Sequence, residues 1–141
     1  MLKQIIHGVE VTRIARPGKL YRVGRRLDSE GLWYDAKGNE TGLIHTIKGA
    51  AAAALPMGPS DVFKLDNTTW QSVTNSLLNL KNWFSLEDMR QLIEREYELL
   101  EIETTGHAHF KFPTYAHEVF SPQQLVAVKT LDVRLLYPEL S

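Results

Sequence analysis

Apolar residues recur at strand-like spacing over most of this chain and at helical spacing over one central stretch. Val9 and Val11, then Leu20, Tyr21 and Val23, bracket Arg16-Pro17-Gly18, which predicts two short strands joined by a turn. Leu32-Trp33-Tyr34 and Leu43-Ile44 flank Asp35-Ala36-Lys37-Gly38-Asn39, a glycine-containing connection of hairpin type. The alanines from Ala50 to Ala54 suit a short helix, confined by Gly49 and by Leu55-Pro56-Met57-Gly58-Pro59. Asp66-Asn67 reads as a turn, and Thr68 to Thr74, rich in β-branched and aromatic residues, as a strand.

Two helices are expected next. Leu77, Leu80 and Phe84 share one helical face after Asn75 or Ser76, either of which can cap. Ser85, with Asp88 three residues on, forms a variant of the capping box for a second helix with the stripe Leu86, Met89, Leu92 and Ile93. Strand spacing returns at Tyr97 to Glu103, at Phe110 and Phe112, and at Tyr115 to Phe120. Ser121-Pro122 reads as a turn, and Leu125 to Leu136 as a last strand or pair. Mostly sheet with two central helices, in a single domain over residues 1–141, is an α+β pattern.

Composition narrows the function classes. Hydrophobic content of 43% and charged content of 23% suit a globular core. No apolar run is long enough to span a bilayer, and Met1 to His7 is too briefly apolar for a signal peptide, so the expected location is the cytoplasm, without a membrane partner. The absence of cysteine excludes disulfides and thiolate metal sites. A net charge of -1 and the lack of an aromatic-rich RNA motif argue against nucleic-acid binding. Charge is nonetheless segregated. Arg13, Arg16, Lys19, Arg22, Arg25 and Arg26 occur between Val11 and Leu27 with no acid among them, whereas acids dominate from Glu87 to Glu103. Such asymmetry marks either an anion-binding face or two neighbouring segments that neutralise each other.

Several residues are candidates for chemistry. His107 and His109, two apart on a strand, would share a face and with His117 could bind a metal. No carboxylate or cysteine completes a known ligand spacing, however, and surface or edge histidines account for the pattern more simply, so no metal is expected. Gly106 beside them suggests a loop. Tyr21-Arg22-Val23-Gly24-Arg25-Arg26 is the best local anion site, because arginine offers a planar fork to phosphate; solvated surface arginines would look the same. Trp33, Trp70, Trp83 and Phe84 read first as core, with Trp70 also suited to stacking. Glu118 lies in a strand of mostly apolar and aromatic residues. If it shares a face with Phe120, its pKa tends upward unless it is hydrogen-bonded.

The order of three of these features resembles the arginine–serine–glutamate group of the ADP-ribosyltransferase fold. Leu20-Tyr21-Arg22-Val23 is an early strand with an arginine. Ser72-Val73-Thr74 is a middle strand followed at once by a helix. His117-Glu118-Val119-Phe120-Ser121-Pro122 is a late strand with a glutamate and a proline turn. The resemblance implies an NAD- or ADP-ribose-type nucleotide as ligand, with NAD as candidate substrate of an ADP-ribosyltransferase or NAD glycohydrolase. It implies Arg22, Ser72 and Thr74 as cofactor-binding residues and Glu118 as the catalytic carboxylate; from the basic segment, Tyr21 joins the cofactor-binding set and Arg25 and Arg26 are candidate outer phosphate contacts. The position two before the glutamate, which in that family often activates the acceptor, is Ala116 here. Gly31-Leu32-Trp33-Tyr34-Asp35 together with Trp83 to Asp88 resembles small bacteriophage proteins, which implies action in the host cytoplasm and a host protein as partner. The alternative function is a non-catalytic phage interaction protein that inhibits a host factor or sequesters a nucleotide signal.

Overall fold

The structure, a computed structural model, describes residues 2–6, 8–24, 64–65, 68–112 and 116–140. Trp33, the hairpin expected around Asp35 to Asn39, the alanine stretch, the Asp66-Asn67 turn, and Arg25 and Arg26 lie outside the described residues. The strands in chain order are β1 (Leu2–Ile6), β2 (Val9–Ile14), β3 (Gly18–Gly24), β4 (Lys64–Leu65), β5 (Thr68–Thr69) and β6 (Gln71–Val73). Helices α1 (Leu77–Trp83) and α2 (Leu86–Glu94) follow, then β7 (Glu98–Thr104), β8 (His107–Lys111), β9 (Ala116–Phe120) and β10 (Leu125–Leu131). The fold is α+β, as the patterning predicts.

The first strand was not foreseen. It exists because Gly8, at φ 79°, takes a backbone conformation that reverses the chain tightly and pairs Ile6 with Val9. The expected strand from Thr68 to Thr74 is divided at Trp70. Its first part pairs with β4 and its second with β9. The last strand ends at Leu131, where Asp132 accepts from the Arg134 amide and opens a short 3-10 turn, Val133–Leu135.

All described pairings are antiparallel; β4 and β5 form a separate two-stranded sheet, and the remaining strands build a five-stranded sheet, β1-β2-β8-β9-β6, and a three-stranded sheet, β10-β7-β3. The two larger sheets meet edge to edge. The Tyr21 and Thr74 backbones exchange hydrogen bonds of 2.8 and 2.9 Å, which joins β6 to β3. Strand side chains alternate, so the joined sheet has two faces. The registers put Leu20, Arg22, Val73, Leu100, Ile102, Glu118 and Phe120 on one face, and Tyr21, Val23, Ser72, Thr74, Leu99, His117 and Val119 on the other.

Each face carries its own core. On the first, Leu20, Val73, Leu100, Ile102 and Phe120 pack together across the join. The second is covered in part by the helices. Leu80, Phe84, Met89 and Leu92 pack on Val23 and Leu99, with Leu136 and Tyr137 from the C-terminal segment. Burying each of these side chains is worth about 1.5–3 kcal/mol. The capping box of α2 forms as expected: Ser85 Oγ accepts from the Asp88 amide at 3.1 Å and Asp88 Oδ2 from the Ser85 amide at 3.0 Å. Neither Asn75 nor Ser76 supplies a side-chain cap to α1. The Thr74 hydroxyl is used there instead, accepting from the Ser76 amide and from Asn79 Nδ2, both at 3.2 Å. Tyr137 donates its hydroxyl to the Phe84 carbonyl at 2.6 Å, which fastens the C-terminal segment to the helices.

Candidate functional site

The three strands that carry the motif residues lie side by side. β9 with Glu118 pairs with β6, which carries Ser72, and the Thr74 bridge beyond β6 joins β3 with Arg22. The side chains do not converge, however. Ser72 pairs with Val119 while Glu118 pairs with Val73, so the pleat sends Ser72 and Thr74 to the face opposite Glu118. Arg22 shares the face of Glu118, with β6 between them, and Tyr21 shares the face of Ser72. The residues that the resemblance assigns to one ligand are thus divided between the two faces by the parity of the strands.

Glu118 is held by histidines. His109 stands directly opposite it on β8, and its Nδ1 lies 2.6 Å from Oε1. His107, two residues earlier on the same face, places Nε2 3.0 Å from Oε2. That second contact has ion-pair distance without hydrogen-bond alignment, which leaves Oε2 buried with no aligned donor among the described residues. Burial alone pushes the Glu118 carboxyl up. The contacts from His107 and His109 outweigh it and hold the carboxyl below its ordinary value. The carboxylate is therefore ionised at neutral pH. Exposure rises along this row, from 14% for the His107 side chain through 18% for Glu118 to 37% for His109.

Arg22 is buried, and Nη1 donates to Gln71 Oε1 at 2.6 Å. Gln71 lies on the same face, since it pairs with Phe120. Among the described residues no carboxylate pairs with Arg22, and desolvation pulls its pKa down to about 10, so it stays charged at neutral pH. A buried guanidinium facing a neutral amide is a costly arrangement, and one that an anion would relieve. The basic segment otherwise reaches the acidic one, because β3 pairs along its length with β7 and Lys19 Nζ lies 3.6 Å from Glu101. The neutralising reading of the charge asymmetry thus describes Lys19 and not Arg22.

On the opposite face the Ser72 hydroxyl is hydrogen-bonded to His117 Nε2. Trp83 stacks on the His117 ring, with centroids 5.2 Å apart and planes 24° apart. Desolvation lowers His117 to about 4, so its ring is neutral at pH 7. Ser72 and Thr74 both spend their hydroxyls on local structure, one on His117 and one on the start of α1. Trp70 is a core residue, packed with Val11, Phe110 and Val119.

No family model, curated protein or solved structure matches the chain. Among the described residues, no group of three or more histidines and acids is arranged to hold a metal ion, and no helix is long and apolar enough to cross a membrane. The row of His107, Glu118 and His109 is the part of the site that sequence reasoning missed. The sequence signal was two histidines sharing one parity; that Glu118 faces them is fixed by the pairing of β8 with β9.

Proposed function

We propose that this chain binds a nucleotide of the NAD or ADP-ribose type on the sheet face that carries Arg22, His107, His109 and Glu118. The observation that carries the reading is the adjacency of β9, β6 and β3, which gathers motif strands distant in sequence into one stretch of sheet. A buried cation and an ionised carboxylate on one face suit a ligand that combines phosphate with ribose. Phosphate answers Arg22, and ribose hydroxyls or positive charge developing at ribose C1′ answer Glu118. In this reading the candidate reaction is cleavage of the bond between ribose and nicotinamide.

One observation favours the non-catalytic alternative, a phage protein that occupies a host factor or sequesters a nucleotide. Glu118 is already held between the two histidines, by a hydrogen bond from His109 at Oε1 and by His107 at ion-pair distance from Oε2, with Ser72 on the opposite face. Titration of NAD and of ADP-ribose, with nicotinamide release followed in parallel, separates the two. Saturable binding with release supports the enzyme, and binding without release supports sequestration. No binding of either ligand sinks the nucleotide reading.

A further inference from the structure

We infer that His109 is the group that moves protons on this face and that Glu118, besides answering the ribose, orients its ring, an inference that rests on the nucleotide reading above. The register of β8 and β9 puts the two directly opposite. The ionised carboxylate can only accept a hydrogen bond, so the Nδ1 that meets it at 2.6 Å must carry a hydrogen. The neutral ring is then the Nδ1–H tautomer, with its lone pair on Nε2. His109 is also the most exposed member of the row, and His107 directs its Nε2 at Glu118 from the other side. His117 cannot substitute, because it lies on the opposite face and bonds Ser72.

An imidazole oriented by a carboxylate on one nitrogen and, among the described residues, without a partner on the other is equipped for general-base chemistry. The acceptor class that fits is water or a hydroxyl. Nicotinamide leaves with the electron pair of the C1′–N bond, and the acceptor oxygen forms the new bond to C1′. The acceptor's proton passes to His109 Nε2 and from there to solvent. Glu118 keeps the ring in place and stabilises the imidazolium that forms.

The test uses the full chain with NAD as probe, in wild type, His109→Gln and Glu118→Gln. Three readouts are calorimetric binding, nicotinamide release and imidazole nitrogen NMR. The expected wild-type spectrum shows His109 as the Nδ1–H tautomer, and Glu118→Gln makes it a mixture of tautomers. His109→Gln is expected to bind NAD within about threefold of wild type while nicotinamide release falls by about 10²-fold or more. Unchanged release in His109→Gln, an Nε2–H tautomer in wild type, or saturable binding without any release would each overturn the role of His109 and leave nucleotide binding standing. Absence of NAD binding by wild type would remove the nucleotide reading and this inference with it.

Discussion

Lowering the pH should destabilise this protein through His117. The side chain is 3% exposed, and desolvation takes its pKa from 6.5 to about 4. A folded value below the unfolded one means that, as pH falls, the unfolded chain takes up the proton first. The stabilisation is complete above about pH 6.5 and is lost as pH falls through about 4. At 1.36 kcal/mol per unit, the loss over that window is about 3 kcal/mol, a large part of the stability of a small domain. The assay is urea unfolding at pH 7.5, 6.5, 5.5 and 4.5 for wild type and His117→Gln, whose amide can still bond Ser72. Wild type should lose stability progressively over this range, and the variant should lack that component. Glu118, whose folded value is also lowered, loses its contribution at more acid pH, near and below the ordinary carboxylate value, and it does so in both proteins. Parallel stability curves for the two proteins would refute the reasoning.

Arg22→Met removes a charge whose burial, judged from the drop from 12.5 to about 10, costs about 3 kcal/mol, and loses a charged hydrogen bond to Gln71 worth about 1.5–3 kcal/mol. The variant should therefore unfold in urea within about 2 kcal/mol of wild type; a loss above about 4 kcal/mol would make Arg22 a structural residue. Gly106→Ala should destabilise by about 1–3 kcal/mol, read as a lower Tm, because the added Cβ would stand 2.6 Å from the Ile14 carbonyl oxygen. Ser85→Ala should cost about 1 kcal/mol in chemical unfolding through loss of the α2 cap.

Much of the fold was legible because its signals are local. The Ser85 and Asp88 pair, the stripe of Leu86, Met89 and Leu92, and the turn before Gly18 each act within a few residues. β1 was missed because its existence depends on Gly8 and on the partner strand rather than on its own pattern. The site was half legible. That a Glu118 sharing the face of Phe120 would have a raised pKa unless hydrogen-bonded followed from alternation and desolvation, and the structure places it on that face with such contacts. Which residues would supply those bonds did not follow, because the register of β8 against β9 is a tertiary fact. The same holds for Ser72. Its type matched the motif, but a strand pairs in one parity, and this one places Val73 rather than Ser72 beside Glu118.

The most direct measurement is calorimetric titration of NAD and ADP-ribose into wild type, Glu118→Gln, Arg22→Met and Ser72→Ala. A site on the face of Arg22 and Glu118 predicts saturable binding by wild type, affinity at least tenfold weaker in Glu118→Gln and Arg22→Met, and affinity within about twofold of wild type in Ser72→Ala, equivalent to less than about 0.5 kcal/mol. Binding lost in Ser72→Ala but kept in Glu118→Gln would move the site to the helix-covered face. No saturable binding of either nucleotide by wild type would contradict the account at its centre.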